Sequence, residues 1–302
     1  MLRSGRLEGD ERRVGTAGVR EATSGELRGT VKLTAELEAV EDPHDPVGRA
    51  ALSLRRASTD GVACRPVRAM FDSNVGVEVG YEIQERNTAI ELDGGRRVSG
   101  RKIGLTSKAV QSQLGVDRPD FGTLFVDMEY PDGAELPYSR LLQPRVEAEV
   151  ALVLERDLDS APHGFAEVLR AVAFALPALE VADSRIEGWD ITLLDTVADN
   201  ASGGLYVLGT RPVMLRDVDL REAKMSMTLD GSVVSTGSGS DCLGHPLSAA
   251  RWLADALCER RIPLRAGDVI MTGALGPMVA AGRGSEFAAT ISGLGRVSAR
   301  LD

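Results

Sequence analysis

One stretch of ten residues, 145–154, alternates so regularly that a β-strand is the structure it favours. One face would carry the apolar side chains of Val146, Ala148, Val150 and Leu152. The other face would carry two carboxylates followed by apolar side chains, in the order Glu147, Glu149, Ala151 and Val153. Acids at positions i and i+2 of a strand lie about 7 Å apart on one face, and burying them is costly unless a cation neutralises them. The pair is therefore either a solvated strand edge or part of a metal site.

A third carboxylate, Glu180, is embedded in the apolar segment 176–181. It could be the partner of Arg145 or Arg185, but three acids in apolar strands favour a shared metal ion. Ligand sets made of oxygen alone select hard cations such as Mg²⁺ or Mn²⁺. Asp183 and Arg185 are expected to form an ion pair that supports this metal site from beneath.

Lys102 is the candidate cation beside this cluster. Three carboxylates around a divalent ion leave a net charge of about −1, so an anionic substrate needs a positive group nearby. Lys102 lies between Gly100 and Gly104 among apolar residues, which predicts that burial lowers its pKa toward use as an acid or base. The alternative is an ordinary surface lysine at the end of a strand.

The chain divides by its pattern into three parts. Residues 1–45 are rich in Arg, Glu, Gly and Thr with little apolar periodicity, which is typical of a flexible extension that the chemistry does not need. Residues 46–98 are an expected helical subdomain, with helical spacing of apolar side chains over 46–57 and 75–89. Residues 99–302 are the expected metal-binding catalytic domain with mixed β-structure.

Short strands separated by turns dominate from about residue 100. The turn Asp230-Gly231 between two apolar runs is a strong hairpin signal. Helices are expected at 166–175 and 247–260, and strands at 176–181, 204–208, 225–229, 232–236, 268–272, 286–291 and 297–301. Hairpins with few helices predict an α+β fold. No Gly-x-Gly-x-x-Gly opens a helix after an early strand, so a dinucleotide cofactor is not expected.

Net charge, cysteine content and the absence of long apolar runs exclude several classes of partner and indicate the cellular setting. The formal net charge of −10 argues against a nucleic-acid surface. Cys64, Cys242 and Cys258 are scattered and odd in number, which predicts a reducing cytoplasm rather than a disulfide framework or a structural zinc site. No run approaches the roughly 18 apolar residues of a membrane span, and no signal peptide is visible. Neither a nucleic acid nor a membrane is therefore an expected partner.

Seven segments taken together resemble one known family. They occur in order within residues 46–301 and are 100–106, 114–122, 142–149, 176–181, 195–202, 242–247 and 267–276. The chain resembles the 2-keto-4-pentenoate (2-hydroxypentadienoate) hydratases of the fumarylacetoacetate hydrolase superfamily. The resemblance implies an α+β fold, a mixed β-roll with a small N-terminal helical subdomain. Residues 1–45 take no part in it.

The resemblance also implies roles for individual residues. A divalent metal, Mg²⁺ or Mn²⁺, would be held by Glu147, Glu149 and Glu180. Lys102 and Asp120 would form the acid–base pair. The substrate, a small anionic 2-oxo or 2-hydroxy acid, would contact Leu105, Asn200, Ser202, Thr272 and Gly273. Family members form homo-oligomers, which implies a pentamer or a decamer, and a downstream aldolase is a further candidate partner.

The expected activity is hydration of 2-hydroxypenta-2,4-dienoate, or a close alkyl analogue, to 4-hydroxy-2-oxopentanoate in the meta-cleavage catabolism of aromatics or steroids. A 4-oxalocrotonate decarboxylase and a non-catalytic partner subunit are alternatives. A C–C hydrolase is disfavoured, because none of the three histidines, His44, His163 and His245, lies between the N-terminal helices and the metal strand. His245, which precedes Pro246, is expected to cap a helix or pack, and Asp117 to form a turn.

Overall fold

The described residues, 44–72, 74–107, 111 and 118–302 of this computed structural model, form helices near the N-terminal end and strands over most of the remainder. The helices are α1 (Pro46–Asp60), α2 (Val77–Asp93), α3 (Phe165–Ala171), α4 (Leu193–Ala198) and α5 (Pro246–Glu259). The strands are β1 (Val98–Gly104), β2 (Asp120–Phe125), β3 (Glu129–Pro131), β4 (Ala134–Leu136), β5 (Pro144–Leu154), β6 (Val172–Asp183), β7 (Gly203–Leu208), β8 (Lys224–Leu229), β9 (Ser232–Ser238), β10 (Val269–Ala274), β11 (Val279–Ala280), β12 (Glu286–Ile291) and β13 (Gly295–Leu301). Residues 1–43 and the predicted turn at Asp117 lie outside the described residues.

Helix α1 begins where the sequence predicts. The Asp45 carboxylate accepts a hydrogen bond from the Gly48 amide at 2.8 Å and so caps the helix. Gly61 ends it with a φ of +69°, a left-handed conformation that glycine adopts without strain. Helix α2 runs to Asp93, past the predicted end at residue 89. The two helices share a small apolar core that includes Ala50, Leu54 and Ile83.

Two mixed sheets carry the rest of the described fold. The larger has the order β2-β1-β10-β5-β6-β7-β3, with β11 beside β5, and the smaller has the order β4-β13-β12-β8-β9. Most neighbours are antiparallel, whereas β1 and β10, β3 and β7, and β4 and β13 run parallel. This mixture, with a small helical region at the N-terminal end, confirms the predicted α+β fold.

The larger sheet curls so that it has an inner and an outer face. Leu124 of β2 and Tyr206 of β7 belong to one apolar cluster, although four strands separate β2 from β7 in the sheet order. Ala151 and Met271 complete the inner cluster from the strands between them. The outer face packs against helix α5 and the smaller sheet in the main core, which contains Leu152, Leu253 and Phe287. Residues of β5 therefore reach apolar surroundings on both faces, as its alternation predicts.

The helix predicted over 166–175 is too long. Helix α3 ends at Ala171, and strand β6 begins at Val172. Phe174 pairs with Val153 across the ladder between β6 and β5. Pairing with a long central strand outweighs local helical spacing, because strand preference depends mainly on packing against neighbours. Strand β6 is consequently 12 residues long and extends along β5 as far as Glu180 and beyond.

Two local predictions are confirmed. Strands β8 and β9 form a hairpin whose turn residues Asp230 and Gly231 have φ of +50° and +81°, as a tight two-residue hairpin turn requires. His245 caps helix α5, since its Nδ1 accepts a hydrogen bond from the Leu247 amide at 3.0 Å. Within the part of the chain that the structure describes, no helix combines the length and apolar character needed to cross a membrane.

Candidate active site

The register of the larger sheet decides which polar side chains meet on its inner face. Glu147 of β5 pairs with Glu180 of β6, and residues paired across a ladder share a face. Glu149 lies two residues along β5 and therefore on the same face. On the other side of β5, strand β10 pairs with β5 and also with β1, where Met271 is the partner of Lys102. Three carboxylates and one ammonium are thus carried to one face by four adjacent strands.

The three carboxylates form a compact cluster. Ligand atoms of Glu147, Glu149 and Glu180 all lie within 4.8 Å of one another. Glu149 has no exposed surface and Glu180 is 2% exposed. Glu149 Oε2 accepts a hydrogen bond from the Gly273 amide at 2.8 Å, whereas its Oε1 and the Oε2 of Glu180 have no hydrogen-bond partner among the described residues. Buried carboxylate oxygens normally have a partner, so these oxygens fit a hard divalent cation.

The electrostatics of the carboxylate cluster also favour a bound cation. Burial, together with the charge of Glu180, raises the pKa of Glu147 to about 7. The same two causes raise the pKa of Glu149 well above its ordinary value. The protein surroundings alone therefore do not stabilise three negative charges here, and a bound cation would supply the missing compensation.

Lys102 is buried at the edge of this cluster. Its Nζ lies 2.8 Å from Glu180 Oε1 and donates a hydrogen bond to the Ala201 carbonyl at 2.7 Å. The partner of Glu180 among the described residues is thus Lys102, and neither Arg145 nor Arg185. Burial lowers the pKa of the Lys102 ammonium, but the carboxylates facing it outweigh burial and raise the pKa above its ordinary value. The prediction of a lowered pKa considered burial without the neighbouring carboxylates, and with the groups of the protein alone the shift has the opposite sign.

Asp120 lies across strand β1 from the carboxylate cluster. It pairs with Gly104 in the β1–β2 ladder and is 1% exposed. Within the described part of the chain, neither of its carboxylate oxygens makes a hydrogen bond of good geometry. Burial raises its pKa, although Lys102 opposes the shift. A Cβ atom on residue 104 would lie 2.1 Å from Asp120 Oδ1, so the glycine makes room for this carboxylate.

A left-handed turn, Asn200–Ser202, lies between helix α4 and strand β7. Its three residues have φ of +54°, +50° and +51°, a conformation that costs a non-glycine residue about 1–2 kcal/mol. The Asn200 side chain accepts from the Thr123 amide at 2.7 Å and donates to the Thr123 carbonyl at 2.9 Å. Ser202 Oγ lies 3.3 Å from the Thr196 hydroxyl. The predicted substrate residues Asn200 and Ser202 are therefore beside the site, with their side chains engaged by the protein.

The remaining predicted substrate residues lie in, or directly after, the neighbouring strands β10 and β1. The Thr272 hydroxyl is fully buried and donates to the Val150 carbonyl at 2.8 Å. Gly273 contacts the cluster through its amide, which donates to Glu149, and has a φ of +105°. Leu105 directly follows β1 with a φ of +56°. Their contacts with substrate stay a prediction.

The expected ion pair between Asp183 and Arg185 is wrong. The Asp183 carboxylate accepts hydrogen bonds from the amides of Leu142 and Gln143 at 2.6–3.1 Å. Arg185 instead pairs with Asp199, its Nε lying 2.5 Å from Asp199 Oδ1. Residues 183 and 185 are close in sequence but point to different partners, which only the tertiary fold determines. The single sequence signal for Asp199 was its place in the segment 195–202.

The amino-acid sequence is similar to those of known proteins. The model of the fumarylacetoacetate (FAA) hydrolase C-terminal family matches residues 104–302. The 2-keto-4-pentenoate hydratase of Burkholderia vietnamiensis is 54% identical over 249 residues, which cover 82% of this chain and 95% of the relative. The 2-hydroxyhexa-2,4-dienoate hydratase of Comamonas testosteroni is 43% identical over 224 residues, covering 74% and 85% respectively.

A solved structure extends the likeness to three dimensions. The 4-oxalocrotonate decarboxylase from Pseudomonas putida G7, complexed with magnesium and adipate, gives a TM-score of 0.81 at 34% identity, over 85% of this chain and 97% of that one. The family match covers most of the strands that build the carboxylate cluster. The chain therefore belongs to the fumarylacetoacetate hydrolase family, and relatives about half identical to it over most of its length are 2-keto-4-pentenoate hydratases.

Proposed function

We propose that this protein is a metal-dependent hydratase that adds water to 2-hydroxypenta-2,4-dienoate, or a close alkyl analogue, and yields 4-hydroxy-2-oxopentanoate. The observation that carries the proposal is the carboxylate cluster beside buried Lys102 and Asp120, in a chain that is 54% identical to a named hydratase. The relatives named as hydratases favour a step in the meta-cleavage catabolism of aromatic compounds.

Glu147, Glu149 and Glu180 are the residues that would hold Mg²⁺ or Mn²⁺. A divalent cation supplies Lewis-acid stabilisation of the negative charge that grows on the 2-oxygen of the substrate. The donor set is made of oxygen alone, which suits these hard cations. Magnesium in the complex of the structurally similar decarboxylase supports the choice.

Lys102 and Asp120 would move the protons of the reaction. The substrate's 2-hydroxyl loses a proton and C5 gains one, which gives the 2-oxo-3-enoate. The oxygen of water then bonds to C4 while C3 takes a proton, so that one water is added in total. The two carboxylate oxygens of Asp120 make no hydrogen bond of good geometry to the described residues, and the Lys102 ammonium is held by Glu180 and the Ala201 carbonyl. Both are buried, and proton transfer from positioned groups contributes about 10²–10⁴-fold in rate.

The proposal is tested by incubating the purified protein with 2-hydroxypenta-2,4-dienoate and Mg²⁺ or Mn²⁺. We expect loss of the dienoate absorbance with formation of 4-hydroxy-2-oxopentanoate, and loss of this activity after treatment with a chelator. Restoration by added metal is the control for damage by the chelator. Full turnover by metal-free protein would contradict the proposed mechanism.

A second candidate is decarboxylation of 4-oxalocrotonate. It is favoured by one observation, the TM-score of 0.81 with the decarboxylase of Pseudomonas putida G7. Its substrate has a second carboxylate, which would need a further cation in the pocket. Supplying both substrates to the metal-loaded protein separates the two activities, because only decarboxylation releases CO₂.

The natural setting of the enzyme is also a proposal. Three free thiols suit a reducing cytoplasm. A pentamer or decamer of this chain is expected from the family resemblance, and native mass spectrometry would test it. A downstream aldolase that consumes the hydroxylated product is the proposed partner, and co-purification with that enzyme would test it.

A further inference from the structure

The left-handed turn Asn200–Ser202 needs external support. It places three consecutive residues other than glycine at positive φ, whereas such residues normally occur singly. Conformations of this kind persist only where the surrounding structure over-determines them, and they concentrate at functional sites. The contacts that hold this turn are therefore candidates for a functional role.

Arg185 donates hydrogen bonds to the residues on either side of the turn. Its Nη2 donates to the Asp199 carbonyl at 2.5 Å and its Nη1 to the Gly203 carbonyl at 2.7 Å, so one guanidinium holds the residues before and after the turn. Its Nε and backbone amide donate to the two oxygens of the Asp199 carboxylate at 2.5 and 2.9 Å. The Arg185 side chain is 12% exposed and that of Asp199 is 1% exposed. A planar fork of donors suits this task, and a lysine cannot reproduce it.

The inner side of the turn reaches the reacting groups. The Ala201 carbonyl, in the middle of the turn, accepts the hydrogen bond of Lys102 Nζ at 2.7 Å. We propose that Arg185, together with Asp199, is a positioning residue: it fixes the left-handed turn so that the Ala201 carbonyl holds the Lys102 ammonium beside Glu180. The inference rests on the proposed function, in which Lys102 moves protons. It assigns a role to Arg185, which makes none of the contacts described for the carboxylate cluster.

The turn has a second, independent anchor. The Asn200 side chain makes both of its hydrogen bonds to the backbone of Thr123 in strand β2. We expect this anchor to keep the turn attached to the sheet in a variant that lacks the Arg185 contacts, while the Ala201 carbonyl shifts. On that expectation the variant keeps its fold and misplaces Lys102, which separates a positioning role from a role in folding.

The deciding variant is Arg185→Lys, which keeps a positive charge but cannot reach both bracketing carbonyls. We expect kcat for dienoate hydration to fall by about 10–100-fold, because small misplacements of catalytic groups have effects of this size. The KM and the affinity for Mn²⁺ should stay close to those of the unchanged protein. Arg140→Lys is the matched control: Arg140 lines the same cavity, of about 370 Å³, as Arg185 but is paired with Asp127 and not with the turn.

Hydrogen exchange gives a readout that does not depend on activity. The Ser202 amide donates to the Asp199 carbonyl at 2.9 Å, and its exchange should speed up in Arg185→Lys and not in Arg140→Lys. Unchanged kcat, unchanged exchange, or an equal loss in both variants would overturn the proposal. If the unchanged protein fails to hydrate the dienoate, the proposed function fails, while the exchange data still decide whether Arg185 holds the turn.

Discussion

Glu149 illustrates at the scale of one residue why a cation belongs in this site. Its side chain has no exposed surface, one carboxylate oxygen accepts from the Gly273 amide, and the other has no hydrogen bond to any residue that the structure describes. Leaving an ionised carboxylate buried without a counter-charge is strongly unfavourable. Lys102 carries a single positive charge and pairs with Glu180, so it does not neutralise all three carboxylates.

Replacement of Glu149 by glutamine tests the metal assignment. Glu149→Gln keeps the size of the side chain but removes its charge. Loss of a residue that only hydrogen-bonds to a metal ligand typically lowers metal affinity by roughly 10–100-fold. Because Glu149 would itself be a ligand, we expect the affinity for Mn²⁺ to fall by more than this. Isothermal titration calorimetry on the metal-free protein measures this change.

The matched variant Lys102→Met separates metal binding from proton transfer. Methionine fills a similar volume without the ammonium. The variant should keep its affinity for Mn²⁺ while kcat falls by about 10²–10⁴-fold, the range for loss of a general acid or base. An equal loss of metal affinity in both variants would show that the two roles are not separable.

Cys242 provides a pH-dependent prediction. Burial, aided by the charge of Glu149, raises the pKa of the Cys242 thiol to about 12. Because the thiolate is the reactive form, reactivity should increase only as the pH approaches about 12. With a disulfide reagent at about pH 8, we expect labelling of Cys64 and Cys258, which are partly exposed. Cys242 should react only after unfolding, and rapid labelling of Cys242 in the native protein would contradict the predicted burial.

At the scale of single elements, the site depends on the approach of β1 and β2. Gly104 and Asp120 face each other in the ladder, and the missing Cβ of Gly104 leaves the space that the Asp120 carboxylate fills. Strands β5 and β6 likewise pair so that Glu147 lies directly across from Glu180. Strand pairing therefore places both halves of the site.

The variant Gly104→Ala tests this approach. The added methyl group would lie 2.1 Å from Asp120 Oδ1, so the carboxylate must move. We expect kcat to fall by about 10²-fold, the effect of displacing a catalytic group by about 1 Å. Gly164→Ala is the control, because a Cβ at Gly164 meets no atom within 4 Å. Unchanged kcat in Gly104→Ala would argue against a role for Asp120 in proton transfer.

At the scale of the whole molecule, the candidate site residues lie within Pro43–Asp302, which forms one compact unit. The match to the Burkholderia vietnamiensis relative covers 95% of that protein but 82% of this chain. The division into residues 46–98 and 99–302 stays a proposal, as does the dispensability of residues 1–45.

A shortened chain tests the last of these proposals. Removing residues 1–42 should leave kcat/KM and the midpoint of thermal unfolding nearly unchanged, within about twofold for the rate constant, since truncation is tolerated where no core contacts are lost. Activity assays and differential scanning calorimetry on both lengths of chain measure this. A large loss of either quantity would assign the segment a role in the fold or in the site.

Local periodicity was enough to predict several strands and the candidate metal ligands on one of them. Alternation with a period of two already placed Glu147 and Glu149 on one strand face, and turn residues located the hairpin at Asp230. Two other features become visible only in the folded chain: Glu180 pairs with Lys102, and β6 begins at Val172, where the sequence favoured a longer helix. These features depend on which strands lie side by side and in which register, and residues far apart in the chain set that register together.

The same reason explains the errors about charge. The pKa of Lys102 is raised because carboxylates from other strands face it, and Arg185 pairs with Asp199 because the chain returns there through α4. Burial can be predicted from apolar neighbours in the sequence. The sign of a pKa shift and the partner of an ion pair depend on distances between side chains, which only the folded chain fixes.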